Sequence, residues 1–223
     1  MFQPVKKEPV SKNIIDTLHR LMRFDKLSFF RLVGGTSLSL QFQHRQSNDI
    51  DLFTDQEYGS VNFSVIDSFL RKTFRYVDTG NSIENEPGKM YFIGDSAEDC
   101  IKLDMFYTDP FIRPVVIINN IRMAAPEDIA AMKLEIISGG GRKKDFWDIA
   151  ELLERYPLTD LTGFYKEKYP YFDINKVISG LTDFSSAEEM DDPLCLKNRI
   201  WEIIKLDIKE AVVKYLDNNH TKF

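Results

Sequence analysis

The stretch from residue 30 to residue 53 reads FRLVGGTSLSLQFQHRQSNDIDLF, and its pattern decides the fold. We predict a short strand over Phe29–Val33, a turn at Gly34-Gly35 and a second strand over Asp49–Phe53. Glycine has no side chain, so the backbone at such a turn can approach a ligand closely. This order of elements indicates a mixed α/β fold with a binding site at the turn.

The second strand carries two acids. Asp49 and Asp51 lie two residues apart, and side chains alternate between the two faces of a strand. Both carboxylates therefore point to one face, with Ile50 and Leu52 on the other. Neighbouring carboxylates repel each other unless a cation lies between them, and Mg²⁺ is a hard cation that carboxylates and phosphate oxygens suit. Taken alone, two such acids more often mark a strand end whose carboxylates face water; a metal site is the alternative, and the residues before the strand favour it.

The glycine pair leads into a short helix. Thr36 or Ser37 is placed to cap this helix, which we predict to run through Gln43. Free backbone N–H groups and the positive end of the helix would face a phosphate group. Together with the two acids, the segment predicts a phosphate cradle, formed by Gly34, Gly35, Thr36 and Ser37, beside a metal site.

A third acid, Asp104, lies between Leu103 and Met105 in a strand predicted over Ile101–Tyr107. Burying an unpaired carboxylate costs several kcal/mol, so Asp104 needs a partner. A metal ion shared with the first two acids would satisfy it. A salt bridge to Lys102, on the same face of the strand, is the alternative, and we favour the metal.

The character of the chain changes past Pro126. Earlier elements are predicted as helices over Ser11–Arg23 and Asn62–Thr73, strands over Met90–Ile93 and Val115–Ile118, and a hairpin turn at Asn119-Asn120 into Ile121–Met123. Later elements are helices over 126–138, 144–155 and 194–217, with shorter ones between. We therefore expect an α+β protein with a mixed β-sheet flanked by helices (1–125) and a C-terminal helical bundle (126–223).

The composition excludes several classes of protein. A chain of 223 residues that is 43% hydrophobic can bury a core, and its net charge of −6 excludes a chain-wide basic coat for nucleic acid, though not a local basic patch. Two cysteines and three scattered histidines cannot form a disulfide framework or a zinc site, which predicts a cytoplasmic protein. No apolar run approaches the roughly 18–20 residues of a membrane span, so no membrane association is expected.

The string GGTSLSLQFQHRQSNDIDLF resembles the first motif of the nucleotidyltransferase superfamily that includes DNA polymerase beta. That motif is a glycine turn and helix, followed by D-x-D on the next strand and a third acid on a later strand. More narrowly, GGT-x-L-x-L…R-x-S-x-DIDLF resembles the AbiEii/AbiGii-type nucleotidyltransferase toxins of abortive-infection and toxin–antitoxin systems. The resemblance covers about residues 30–155.

The narrower resemblance also covers basic residues of the second half. Lys133 lies among apolar side chains of a predicted helix, where a lysine either extends to solvent or meets an anion. We favour contact with a triphosphate or pyrophosphate. The family implies that Asp145 is a further functional acid, which orients Lys133 or a substrate group, and Asp148 lies on the same face.

Two further basic features remain open. Arg45 is either a phosphate contact or a structural contact. The run Arg142–Lys144 could meet the phosphates of a nucleotide or an RNA, although such a run in a loop is more often simply solvated.

The resemblance implies transfer of a nucleoside monophosphate from an NTP, with Mg²⁺ or Mn²⁺ held by Asp49, Asp51 and Asp104 and with Lys133 and Asp145 completing the catalytic set. It also implies an acceptor that is RNA, tRNA 3′ ends in particular, or a protein side chain, and a cognate antitoxin partner. One alternative is a non-catalytic module of the same fold that binds an NTP or a partner protein. Another is a metal-dependent nuclease, which would not need the glycine turn.

Overall fold

The computed structural model describes residues 8–79 and 87–220. The chain divides into two compact units. The sheet unit holds Val10–Ser37 and Ser47–Ala124, and the helical unit holds Leu38–Gln46 with the described part of Ala125–Phe223. Residues 38–46, which precede the predicted boundary at residue 125, thus group with the helices.

The sheet unit is built on a mixed β-sheet. Its strands are β1 (Arg31–Leu32), β2 (Ile50–Thr54), β3 (Tyr76–Asp78), β4 (Gly88–Gly94), β5 (Cys100–Tyr107), β6 (Val116–Ile118) and β7 (Ile121–Met123). Within the described residues these seven strands form one sheet in the order β3-β4-β5-β2-β1-β7-β6. The pairs β2–β5 and β1–β7 are parallel and the others antiparallel. The predicted mixed sheet is confirmed.

Side-chain alternation divides the sheet into an apolar face and a mixed face that carries both the acids and the rings of Phe53 and Phe106; we call the mixed face the polar face. In β2, Ile50 and Leu52 are fully buried, and in β5 so are Leu103 and Met105. The residues between them, including Asp51, point to the other face. The strands that carry the acids are therefore anchored by one apolar face, as their sequence pattern predicts.

Helices accompany the sheet. The first three are α1 (Lys12–Met22), α2 (Gly34–Phe42) and α3 (Phe63–Thr73), and a 3₁₀ turn covers Asp25–Leu27. The Ser11 hydroxyl accepts a hydrogen bond from the Ile14 N–H at 3.3 Å, and the Asn62 side chain accepts one from the Val65 N–H at 3.2 Å. Both side chains cap their helices as N-cap residues usually do.

The predicted hairpin at Asn119-Asn120 is present between β6 and β7. The two asparagines have φ values of 50° and 62°, the left-handed region that a two-residue hairpin turn requires. Asparagine tolerates this region better than most residues do, which explains why this sequence turns here.

The helical unit contains α4 (Pro126–Ser138), α5 (Lys143–Leu153), α6 (Leu158–Lys168), α7 (Ile174–Thr182), α8 (Ser185–Glu188) and α9 (Trp201–His220). Pro126 occupies the first turn of α4, where its missing N–H has no helical partner to lose. Trp147 of α5 stacks on Trp201 of α9, with ring centroids 5.7 Å apart, and both rings are buried. In the part of the chain that the structure describes, no helix is both long and apolar enough to cross a membrane.

Two predicted helix starts are wrong. Helix α2 begins at Gly34, so neither Thr36 nor Ser37 caps it. Helix α9 begins at Trp201 and not near Leu194, because Cys195 forms an isolated β-bridge with Arg45 instead. There the Gln46 N–H donates to the Leu194 carbonyl at 2.8 Å, and the Leu196 N–H donates to the His44 carbonyl at 2.9 Å.

Candidate active site

The sheet brings two of the predicted metal ligands side by side. In the parallel pair β2–β5, Asp51 lies directly opposite Asp104. Opposite residues of neighbouring strands share a face, so both carboxylates belong to the polar face of the sheet. Asp49 precedes β2 by one residue. Two of the three acids are therefore neighbours in the sheet, although 53 residues separate Asp51 from Asp104 in the chain.

The glycine turn lies against the same acids. Gly34 has a φ of 67°, and a Cβ atom at this position would stand 2.6 Å from Asp51 Oδ2. The Val33 N–H donates to the Asp51 carbonyl oxygen at 2.8 Å. A side chain at residue 34 would therefore displace the carboxylate, so glycine suits the position for its φ and keeps the Asp51 carboxylate in place.

Thr36 attaches this turn to the acidic strand. Its hydroxyl hydrogen-bonds the Asp49 carbonyl oxygen and lies 2.8 Å from the Ser47 hydroxyl. A hydroxyl has a single proton, so Thr36 donates to the carbonyl and accepts from Ser47. Thr36 and Ser37 are both fully buried. The Thr36 side chain thus has a structural partner, which leaves the phosphate contact of the turn to backbone N–H groups.

Asp104 has one satisfied oxygen and one unsatisfied oxygen. Oδ2 forms an ion pair with Lys102, the alternative that the sequence left open. Oδ1 is buried and has no hydrogen-bond partner among the described residues. A buried carboxylate oxygen without a partner carries a desolvation cost that a cation would remove. This oxygen is the feature of the site that best fits a metal ligand.

The donor set suits a divalent cation, but the ligands are not assembled around one. Within residues 8–79 and 87–220, no three His, Cys, Asp or Glu side chains are close enough together to enclose a metal ion. Asp104 instead engages Lys102. The three carboxylates, one with an unsatisfied oxygen, nevertheless offer the oxygen ligands that Mg²⁺ and Mn²⁺ prefer.

Lys133, in the helical unit, lies between two carboxylates. Its Nζ is 2.6 Å from Asp145 Oδ1 and 2.7 Å from Asp148 Oδ2, and the side chain is only 4% exposed. Burial alone would lower the pKa of Lys133, but Asp148 and Asp145 outweigh it and raise the pKa above its ordinary value. Lys133 therefore stays charged. Its position among apolar residues predicted contact with an anion, and the anions that it contacts are two carboxylates of the protein itself.

Asp148 is the centre of this buried cluster. The Arg45 guanidinium donates to both of its oxygens, from Nε at 2.6 Å and from Nη2 at 2.8 Å, and His44 Nε2 lies 2.8 Å from Oδ1. Burial raises the pKa of Asp148, but Arg45, Lys133 and His44 together hold it well below its usual range. Arg45 thus makes the structural contact that the sequence left open.

Asp145 links the same lysine to the start of α5. Its Oδ2 accepts the backbone N–H of Arg142 at 3.0 Å, which caps the helix, while Oδ1 accepts from Lys133. Burial raises the pKa of Asp145, and Lys133 and Arg142 more than reverse this, so its pKa lies below the ordinary value. The expected link between Asp145 and Lys133 is present.

The basic run Arg142–Lys144 does not form a continuous surface patch. Lys143 is buried, 3.1 Å from Asp192 Oδ1, with its ammonium 5.2 Å from the centre of the Trp201 ring. Arg142 is exposed, and part of its guanidinium contacts Asp145 at 3.3 Å. This segment is therefore neither a three-residue phosphate patch nor a fully solvated run, because the Lys143 side chain is buried.

No role for His44 is predicted from the sequence. The histidine pairs with Asp148, 104 residues away in the chain, so no local spacing could reveal the contact. The sequence offered one weak signal, which is that two polar residues, His44 and Arg45, are adjacent. The structure shows that both are buried.

Two features of the sheet unit define the class of protein. The acids of neighbouring parallel strands lie in register, and a glycine turn that opens a helix lies against one of them. A mixed sheet with this arrangement, followed by helices, is the fold of a nucleotidyltransferase.

Comparison with known proteins identifies the family. Residues 16–211 match the model of the family described as nucleotidyl transferase AbiEii toxin, type IV toxin–antitoxin system, and the chain belongs to this family. It is therefore a nucleotidyltransferase of the toxin type. An uncharacterized protein of Aquifex aeolicus (strain VF5) is 30% identical over 212 residues, which cover 91% of this chain and 96% of the relative.

Two solved structures share the fold. JHP933 from Helicobacter pylori is 18% identical with a TM-score of 0.58, over 95% of this chain and 97% of the other. MenT4, a nucleotidyltransferase toxin of Mycobacterium tuberculosis H37Rv, is 13% identical with a TM-score of 0.56, over 89% of this chain and 80% of the other. At these identities the likeness concerns the fold alone.

Proposed function

We propose that the protein transfers a nucleoside monophosphate from an NTP to an RNA acceptor, tRNA 3′ ends in particular, with Asp49, Asp51 and Asp104 holding Mg²⁺ or Mn²⁺. The observation that carries this proposal is the register of Asp51 with Asp104 beside the glycine turn. When bound, the divalent cation supplies positive charge to the triphosphate and to the acceptor oxygen. A protein side chain is the other acceptor that the family suggests.

The proposed reaction is a displacement at the α-phosphorus of the NTP. The acceptor hydroxyl oxygen forms the new P–O bond, the bond to the bridging oxygen breaks, and pyrophosphate leaves with its electron pair. Backbone N–H groups at Gly34 and Gly35 hold the β- and γ-phosphates. Asp104 receives the proton of the acceptor hydroxyl, a role that its unsatisfied Oδ1 supports.

The contacts of Lys133, Asp145 and Arg45 bear on whether these residues touch the substrate. All three are buried and paired inside the helical unit. These contacts support a positioning role for them more strongly than direct contact with the departing pyrophosphate. The prediction that Lys133 contacts the substrate is kept, and it requires the lysine to exchange a carboxylate partner for phosphate.

The toxin–antitoxin context suggests a further partner. The matching family is described as part of a type IV toxin–antitoxin system. We propose that an antitoxin protein encoded beside this chain counteracts it in the cell. Co-expression with the neighbouring reading frame should relieve any growth arrest that the wild-type chain causes.

Transfer of label from an α-labelled NTP tests the main proposal. The purified protein is incubated with Mg²⁺, each α-³²P-labelled NTP in turn, and either total tRNA or a cell lysate. We expect label on RNA with the wild type and none with the Asp49→Asn/Asp51→Asn double variant. Asp67→Asn is the matched control, because Asp67 forms a partly exposed ion pair with Arg71 on α3 and belongs to neither the predicted metal site nor the phosphate cradle.

Three results would contradict the proposal in different ways. Label on protein only would replace the acceptor. Cleavage of RNA with Mg²⁺ and no NTP would indicate a nuclease. NTP binding without transfer to any acceptor, equal in the wild type and the double variant, would indicate the non-catalytic module.

A further inference from the structure

A second cleft of the sheet unit lies at the end of α1 beside the β6–β7 hairpin. Its volume is about 340 Å³, and it is lined by His19, Met22, Arg23, Ile117, Asn120 and Arg122. No residue of the predicted metal site or phosphate cradle lines it. Its ligand must be inferred from its own chemistry.

The lining is basic. Three of the six side chains are of basic type, and none is a carboxylate. The segments that form the cleft, residues 10–37 and 110–124, carry seven Lys or Arg residues and only the acids Asp16 and Asp25, in a chain whose net charge is −6. The local basic patch that the sequence allowed is therefore found here and not at residues 142–144.

Arg122 brings an uncompensated positive charge to this cleft. It donates to the carbonyl oxygens of Met22 at 3.0 Å, Leu27 at 2.9 Å and Phe30 at 3.4 Å, and it pairs with no carboxylate in the described residues. Burial lowers the pKa of Arg122, as expected for a guanidinium without an anionic partner. These carbonyls orient the side chain without neutralising it, so an anion in the cleft would gain its full attraction.

Arg23 supplies the second positive charge. Its side chain is exposed and forms no ion pair or hydrogen bond with any residue in the described ranges. His19 contributes a ring whose Nε2 donates to the Asn119 carbonyl oxygen at 3.0 Å, which fixes the ring at the edge of the cleft. The Asn120 amide adds a neutral group that can donate to a phosphate oxygen.

The strand register relates the cleft to the catalytic acids. Leu32 of β1 pairs with Leu52 on one side and with Met123 on the other, so these three side chains share the apolar face. Arg122 and Asp51, each one residue away, therefore share the polar face. With strands about 4.8 Å apart and residues about 3.3 Å apart along them, the two Cα atoms are separated by about 12 Å.

The cleft also has an apolar edge. Ile117 pairs with Arg122 across the hairpin, so both lie on the same face, and 61% of the isoleucine is exposed. Guanidinium groups beside an exposed apolar side chain suit a flexible polyanion whose phosphates carry sugars and bases. A cleft that binds a protein acceptor would have no comparable need for a lining with several basic side chains and no acidic one.

We propose that this cleft binds a phosphodiester group of the polynucleotide acceptor and so directs the acceptor strand toward Asp49, Asp51 and Asp104. This inference rests on the proposed function, because it supplies that reaction with an acceptor site. A polynucleotide and a free nucleotide could both supply the phosphate group, and the binding experiment distinguishes between them.

Binding of a labelled single-stranded RNA tests the cleft without catalysis. A fluorescent 12-nucleotide RNA is titrated with the Asp49→Asn/Asp51→Asn protein, and fluorescence anisotropy is followed at several salt concentrations. Adding Arg23→Glu should weaken binding about tenfold and reduce the slope of log K against log salt by about 0.7, the value for one lost phosphate contact on a single strand. Ile117→Arg, a change at an exposed position, should strengthen binding.

Lys72→Glu is the matched control. Lys72 is exposed on α3, which contacts β3 at the opposite edge of the sheet, and the substitution changes the net charge by the same amount. Equal weakening by Lys72→Glu and Arg23→Glu would overturn the proposal, because it would reflect net charge only. Full competition of the RNA by ATP or inorganic phosphate at equal phosphate concentration would also overturn it in favour of a free anion.

The two proposals fail separately. If the wild type transfers label to RNA but Arg23→Glu changes neither RNA binding nor transfer, the cleft is excluded and the proposed function stands. If no NTP is transferred but Arg23→Glu weakens RNA binding more than Lys72→Glu, the cleft stands and the proposed function fails.

Discussion

The contacts of single residues explain why a glycine occupies the turn and why charged side chains are tolerated in the buried cluster. Glycine suits position 34 because a Cβ there would displace the Asp51 carboxylate. Asp148 can stay ionised in a fully buried place because Arg45, His44 and Lys133 surround it. The sequence predicted the turn and the acids from local spacing, but it could not predict contacts of Asp148 with residues more than 100 positions away.

Substitution of Gly34 tests the close approach of the turn to Asp51. Gly34→Ala should lower the transfer rate by at least about a hundredfold, because the added Cβ must displace the carboxylate. Gly59→Ala is the control: Gly59 also has a positive φ, 84°, but a Cβ there would meet nothing within 4 Å. Both variants should lose about 1–2 kcal/mol of stability from backbone strain. Equal activity of the two variants in the labelling assay would contradict the account.

The buried cluster should make the stability of the protein depend on acid pH. The pKa of Asp148 is lowered on folding, so its charge stabilises the folded chain above the unfolded pKa of about 4, and this stabilisation is lost as the pH falls through the folded-state value. Asp148→Asn should cost about 3–5 kcal/mol at pH 7, because Arg45 and Lys133 lose their shared counter-charge.

Urea unfolding from pH 7 down to pH 3 measures this dependence. The wild type should lose stability more steeply below pH 4 than Asp148→Asn does. The control is Glu210→Gln, at an exposed position of α9, which should follow the wild-type curve. Parallel curves for the wild type and Asp148→Asn would show that Asp148 does not carry the acid dependence.

At the scale of elements, the sequence predicted what local patterns determine. The Pro126 helix, the helices predicted from Ser11 and from Asn62 and the Asn119-Asn120 hairpin are all confirmed. The predicted helix starts are wrong where backbone or side-chain groups of a segment form hydrogen bonds with residues elsewhere in the chain. Thr36 does not cap α2, because its hydroxyl is bonded to residues 47 and 49. The 194–196 segment is not helical because it pairs with residues 44–46.

The β6–β7 hairpin provides a prediction at this scale. Asn120 has a φ of 62°, which alanine adopts with strain and glycine without it. Asn120→Ala should lower the free energy of unfolding by about 1 kcal/mol, while Asn120→Gly should leave it unchanged or slightly raised. Thermal or urea unfolding of the two variants gives the comparison, and equal stability of both would contradict the assigned turn.

The whole molecule separates its chemistry between two compact units. The sheet unit holds the acids, the glycine turn and the basic cleft, while the helical unit holds the buried cluster around Asp148. Overall composition could not predict this arrangement, because a net charge of −6 averages over the basic segments and the acidic ones. The family resemblance, by contrast, starts from one continuous string, residues 34–53, because the glycine turn and the D-x-D acids are close together in the sequence.

Binding of Mn²⁺ tests most directly the claim that Asp49, Asp51 and Asp104 form a metal site. The electron paramagnetic resonance signal of free Mn²⁺ is measured as each protein is added without nucleotide. We expect equal affinity for the wild type and Asp67→Asn, and affinity at least about tenfold weaker for Asp51→Asn and Asp104→Asn. Wild-type affinity in both Asp51→Asn and Asp104→Asn would contradict the account, because the ion would then be bound elsewhere.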